Sequence, residues 1–279
     1  MLKWRILTAI ILIPLVILGI YETSLPVFAA IVALITAGCA WEWSQLTRLS
    51  KTFSGVLIAL LLYICYELYQ LLLQEPELVP VLFFAAVILW CFYTLWLVQY
   101  QRGRRKEPAE VSVSFILGLV TLAFFWLGLV FLKQKQMLLG GHPVLQLLLI
   151  IWGADTGAYF AGRLWGKHKL ASHISPGKSI EGVFGGLLLS SVAALLSVWL
   201  LPSSDFFASS RGLIIMIVCT WLVVIFAVIG DLFESMLKRQ AGVKDSGRLL
   251  PGHGGLLDRL DSLLSAAPLF ALGYGFIYG

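Results

Sequence analysis

VSVSFILGLVTLAFFWLGLVFL, residues 111–132, runs for 22 residues without a charge. About 20 such residues, wound as a helix, cross a hydrocarbon core about 30 Å thick. Residues 183–201, 212–230 and 262–279 are further uncharged runs of comparable length. Hydrophobic residues make up 59% of the 279 positions and charged ones only 13%, against about 25% charged in an ordinary soluble domain. The mean hydropathy is +0.92. So many long apolar runs leave too little polar surface to wrap them in water. The sequence therefore predicts an all-α, polytopic integral membrane protein.

Spans are predicted near 6–20, 25–43, 53–73, 78–99, 111–132, 143–162, 183–201, 212–231 and 262–279, nine in all. With the N-terminus cytoplasmic and the C-terminus periplasmic, all but Lys133, Lys135 and Arg211 of the 20 Lys and Arg residues fall on the inner side. That excess is the one expected of cytoplasmic loops. The net charge of +5 thus reflects topology and attraction to anionic head groups, with no nucleic-acid partner required. The opening stretch also has the basic start and apolar middle of a signal peptide, but no A-x-A-like site follows it. Cys39, Cys65, Cys91 and Cys219 lie within predicted spans, without metal or disulfide spacing, and read as small apolar fillers. The basic loop 99–110 divides an N-terminal group of spans, 1–110, from a C-terminal region, 111–279. The latter carries the two cytoplasmic loops that hold the polar chemistry, 163–182 and 232–261.

Upstream of the first loop, Asp155 lies inside a predicted span, where an ionisable group is costly. A functional carboxylate and a carboxyl that merely bridges helices both remain open. SPGKS, 175–179, resembles the end of a P-loop. However, Ser172 stands where the first glycine belongs, and no strand is predicted before it. Lys178 follows a Pro-Gly turn and precedes a helix predicted from about 180, a place that suits an anion. His168 and His173 read as ordinary loop residues.

Around the second loop, a helix continuing through IGDLFESMLKR, 229–239, puts Asp231, Glu234, Ser235 and Lys238 on one face. Gly242 is its predicted stop. After the LPGHGG turn, LDRLDSLLS, 257–265, places Asp258, Asp261, Ser262 and Ser265 on one face by the same spacing. Oxygen ligands of this kind suit Mg²⁺, which takes one or two carboxylates and completes its shell with water and phosphates. Lys238, Arg239, Lys244, Arg248 and Arg259 could hold a polyphosphate. Gly252, Gly254 and Gly255 leave backbone N–H groups open to an oxygen. A salt-bridge network that only fixes the loop is the competing reading.

The stretch SMLKRQAGVKDSGRLLPGHGGLLDRLD, 235–261, resembles the signature of the bacterial phosphatidate cytidylyltransferases, the CDP-diacylglycerol synthases. Its specified positions are met by Ser235, Leu237, Lys238, Arg239, Lys244, Asp245, Gly247, Leu250, Pro251, His253, Gly254, Gly255, Leu256, Asp258, Arg259, Leu260 and Asp261. The region 152–182 is also similar to that family, whereas the N-terminal half shares mainly a pattern of spans. The resemblance implies transfer of CMP from CTP to phosphatidic acid, releasing pyrophosphate, in a Mg²⁺-dependent enzyme of the bacterial inner membrane that serves phospholipid synthesis. It favours Asp231 and Asp258 as metal ligands, with Asp261 behind them. On this reading Asp231, Asp258, Lys238, Arg239 and Lys244 are catalytic, and Ser175, Lys178, His253 and Arg259 bind substrate. A second cation and a homodimer are left open. Two rivals are also weighed. One is a transporter using Asp155 and Glu67; the other is a CTP-dependent lipid kinase, which would release CDP instead of pyrophosphate.

Overall fold

The computed structural model describes residues 13–103, 109–139, 141–200, 210–249 and 254–278. Part of the first predicted span, most of the basic run of loop 99–110, and His253 with its neighbours Pro251 and Gly252 lie outside them. The helices are α1 (Ile13–Glu22), α2 (Leu25–Leu46), α3 (Lys51–Gln74), α4 (Val79–Gln101), α5 (Val111–Leu139), α6 (Pro143–Trp165), α7 (Ile180–Leu200), α8 (Ser210–Ala241) and α9 (Leu257–Tyr278). Seven helices, α2 to α8, are long and apolar enough to cross a membrane. The chain is therefore a polytopic membrane protein. Large apolar side chains on their outer faces, such as Leu34, Ile88, Leu188 and Trp199, are exposed, as lipid-facing positions must be.

Helix starts follow local chemistry. Pro26, Pro80 and Pro143 sit in first turns, where a missing N–H costs nothing. Ser50 accepts the Phe53 N–H at 3.3 Å to cap α3. The α8 helix stops where Gly242 takes φ +75°, a conformation that favours glycine.

Water does not drive helix packing inside a membrane, so close approach between small residues has to. The α6–α7 pair makes the most extensive contact among the described helices. There a Cβ on Gly157 would lie 2.2 Å from the Gly185 carbonyl oxygen. Gly230 brings α8 against α9 in the same way: a Cβ there would lie 2.5 Å from the Asp261 carbonyl oxygen. Gly118 of α5 makes room for Trp43 of α2, whose indole N–H donates to the Ser114 carbonyl at 3.0 Å. Phe233 of α8 stacks on Tyr93 with centroids 4.0 Å apart, inside a cup of Trp43, Trp90 and Trp96. Helices from before and after residue 110 thus hold α8 in register together.

One element departs from the all-α expectation. Between α6 and α7 the chain forms an antiparallel hairpin, β1 (Lys169–Ala171) with β2 (Ser175–Ser179). SPGKS is therefore itself a strand, and one does precede it. The closely packed α6 and α7 leave their short connector to turn back on itself, and its backbone groups pair across the turn. The β1 strand is only three residues long, too short to leave an alternating pattern in the sequence.

Candidate active site

The hairpin, α6, α7, α8 and the start of α9 surround a cavity of about 260 Å³. Its walls combine the polar groups Asp155, Lys178, Asp231 and Ser262 with apolar Val183, Val224, Ala227 and Val228. Lys178 reaches from β2 to form an ion pair with Asp231 of α8. The Ser235 hydroxyl donates to the other oxygen of Asp231 at 3.3 Å. Asp155 and Asp261 both stand within electrostatic reach of Asp231 and Lys178. Three carboxylates thus share the neighbourhood of Lys178, and Asp261 is within reach of Lys238 as well.

A second group adjoins the first. Lys238 bridges Glu234, one helical turn before it, and Asp258 of α9, whose Oδ1 lies 2.7 Å from the ammonium. Asp258 Oδ2 accepts the backbone N–H groups of Ser246 and Gly255, both at 2.9 Å. Asp258 sits in the first turn of α9, ahead of the apolar run. Burial would raise its pKa, but Lys238 and the two amides outweigh burial and hold it down at about 2. Both oxygens of Asp258 are thus engaged.

Asp231 and Asp258 have different partners, and the carboxylates within electrostatic reach of Asp231 are Asp155 and Asp261. Arg239 is exposed, and its Nε donates to the Ile174 carbonyl at 3.2 Å, tying α8 to the hairpin. The hairpin tip is held from α4 as well. The Gln101 amide donates to Ser172 Oγ at 3.1 Å and accepts the His173 N–H at 3.2 Å. Ser175 opens β2, and Lys244 and Arg259 are exposed at the rim. The role expected of His253 falls outside the described residues.

Glu42 of α2 was not singled out in the sequence, although the rule applied to Asp155 would have flagged it. Only 1% exposed, it accepts the Ser246 hydroxyl at 3.0 Å and the Leu257 N–H at 2.8 Å. It therefore touches the signature loop on both sides of residues 250–253.

Among the described residues no three His, Cys, Asp or Glu side chains form a metal cage. The surplus of carboxylates over cationic groups around Asp231 and Asp261 nevertheless fits an ion that takes one or two protein oxygens and keeps the rest of its shell for water and phosphate.

The sequence that builds this site has relatives among known proteins. The model of the Cytidylyltransferase family matches residues 3–277. The chain belongs to that family. The phosphatidate cytidylyltransferase of Pseudomonas aeruginosa is 38% identical over 281 residues, covering 97% of this chain and 96% of that protein. That of Haemophilus influenzae is 36% identical over 289 residues, covering 99% and 100%. That of Staphylococcus haemolyticus is 36% identical over 271 residues, covering 96% of each. The cytidylyltransferase match takes in α2 and Glu42 as well as the signature loop. Membership also makes this a nucleotidyl-transferring enzyme.

Proposed function

We propose that this enzyme transfers the cytidylyl group of CTP to phosphatidate, giving CDP-diacylglycerol and pyrophosphate at the cytoplasmic face of a bacterial inner membrane. A lipid phosphate oxygen attacks the α-phosphorus of CTP, a new P–O bond forms, and the bond to the pyrophosphate oxygen breaks. The second pKa of a phosphate monoester is near 6, so the nucleophile is already mostly dianionic at pH 7. No strong general base is required. The reaction needs two polyanions held in line, with charge stabilised on the leaving group.

The Lys178–Asp231 pair carries this reading, because it sets a cation and a carboxylate on the wall of a cavity that also has an apolar side. Lys178 contacts a phosphate there, and Ser175 assists from the start of β2. Lys244 and Arg259 gather CTP phosphates at the rim, together with the outer edge of the Arg239 guanidinium. Lys238 lies deeper and orients Asp258. Asp231 and Asp261 would hold Mg²⁺, with Asp258 beside them. When bound, the ion would neutralise phosphate charge and favour departure of pyrophosphate. Val183 and Val224 let the acyl chains remain in lipid while the head group enters.

The membrane frame proposed is nine crossings, with α1 and α9 added to the seven long helices, the N-terminus inside and the C-terminus outside. Reaction of single cysteines at positions 3 and 277 with an impermeant maleimide would test it. Labelling of both from the same side would reject an odd number of crossings.

The activity is tested with purified protein, dioleoyl phosphatidate, Mg²⁺ and each nucleoside triphosphate in turn. CTP should yield equal amounts of pyrophosphate and CDP-diacylglycerol. Release of CDP with a phosphorylated lipid would replace this reading by a kinase.

A further inference from the structure

The signature loop is anchored by a residue from the opposite end of the sequence. Glu42 Oε2 accepts the Ser246 hydroxyl at 3.0 Å and the Leu257 N–H at 2.8 Å. The same Ser246 hydroxyl accepts the Asp258 N–H at 3.2 Å. The Ser246 N–H in turn donates to Asp258 Oδ2 at 2.9 Å. Ser246 therefore joins Glu42 to both the backbone and the side chain of Asp258. The Leu257 amide belongs to the first turn of α9, one of the N–H groups a helix cannot satisfy itself. A carboxylate there also opposes the positive end of the helix dipole.

The fit leaves no slack. A Cβ on Gly247 would lie 2.2 Å from Glu42 Oε1, and one on Gly255 would lie 2.5 Å from Glu42 Oε2. The glycines at these loop positions thus make space for the Glu42 carboxylate, in addition to any freedom they give the chain. Ser246 and Glu42 are buried, at 4% and 1% exposure, so water does not substitute for these bonds.

We infer that Glu42 is a positioning residue for the transfer reaction: through Ser246 and the Leu257 amide it fixes the orientation in which α9 presents Asp258. The α2 helix thereby contributes to the site without touching substrate. The inference rests on the reading above only in taking Asp258 to act in the reaction.

Its test uses the full-length enzyme in detergent or nanodiscs, with Glu42→Ala, Glu42→Gln and Ser246→Ala. Outer partners of metal-site carboxylates typically contribute about 10- to 100-fold in metal affinity or activity. Glu42→Ala and Ser246→Ala should lower kcat per folded molecule by about that factor and raise the Mg²⁺ needed for half-maximal rate, while the KM for phosphatidate changes by less than about 2-fold. Glu42→Gln, which keeps an acceptor oxygen, should recover most of the rate. In metal-free protein, hydrogen exchange in residues 243–249 and 254–258 should quicken in Glu42→Ala and return toward normal in Glu42→Gln. Unchanged kcat and Mg²⁺ dependence in folded Ser246→Ala would overturn the inference, as would unchanged exchange in Glu42→Ala. Asp258→Asn serves as the control. If that variant turns over normally, the role of Asp258 falls, and the exchange measurement still decides whether Glu42 holds the loop.

Discussion

Lys178 of β2 and Asp231 of α8 form an ion pair that fastens the hairpin to the helix carrying the other acidic and basic side chains. The hairpin has no hydrophobic core of its own. Its position depends on this pair, on the Arg239 bond to Ile174, on the Gln101 bonds to its tip, and on burial of Ala171 and Ile174 in the core of the bundle. The phosphate contact proposed for Lys178 would therefore fall to the same side chain that places the hairpin.

Replacing Lys178 with Met keeps the length of the side chain and removes its charge. Asp231 is then left among Asp155 and Asp261 with no lysine beside it. Loss of one preorganised charge-stabilising group typically costs about 10²- to 10³-fold in kcat. Lys178→Met should show a fall of that size in kcat/KM for CTP, with Lys178→Arg between the two. Pyrophosphate release by folded protein measures it, and a change under about 3-fold would remove Lys178 from the site.

Lys238 makes a different prediction, because it is enclosed between Glu234 and Asp258 rather than offered to solvent. Glu234 is 1% exposed, and stripping one partner from a buried ion pair typically costs about 3–5 kcal/mol. Lys238→Ala should therefore lower the Tm as well as the rate. Adding Glu234→Gln should return part of the lost stability by removing the stranded carboxyl group. A double variant no more stable than Lys238→Ala would show that the pair is not coupled. Thermal melting in detergent follows both.

Much of this site could be read along the chain. Helical spacing placed Asp231, Glu234, Ser235 and Lys238 on one face, and Gly242 ends α8 where its freedom of φ suggested. What spacing cannot carry is contact between distant helices. Nothing local to Glu42 says that it meets Ser246, and nothing local to Arg239 says that its Nε is taken by a hairpin carbonyl. The nearness of Asp261 to Asp231 follows from the close α8–α9 crossing at Gly230, which is a property of the packed bundle. The hairpin escaped for another reason: its first strand is too short for any periodicity.

The α6–α7 crossing offers a test of how packing reaches the site. Gly157→Ala would drive a methyl group into the Gly185 carbonyl, where 2.2 Å is available. The two helices must then part, and the hairpin that joins them must shift Lys178. Both stability and turnover should drop. Gly55→Ala on α3 is the contrasting case, since a Cβ there meets nothing within 4 Å. In a helix interior that change should stabilise by roughly 0.5–1 kcal/mol and leave turnover alone. Equal effects of the two substitutions would mean that the crossing does not set the hairpin.

The crowding of acids near Lys178 makes the last prediction, on magnesium. Asp155, Asp231 and Asp261 outnumber Lys178 and Lys238, the lysines within reach of them. Asp261 is half-buried beside Asp231, within electrostatic reach of it. A divalent ion between Asp231 and Asp261 would relieve that repulsion and bind only the folded state. At free Mg²⁺ about tenfold above its dissociation constant, linkage gives about 1.4 kcal/mol, or roughly 3–6 °C in Tm for a chain of this size. Mg²⁺ should therefore raise the Tm of the wild type, and chelation by EDTA should abolish turnover until Mg²⁺ is restored. Asp261→Asn removes one ligand together with part of the repulsion, so it should melt higher without metal and gain less when metal is added. A Tm in the wild type that ignores Mg²⁺ from zero to millimolar concentrations would leave the carboxylates without a cation to hold.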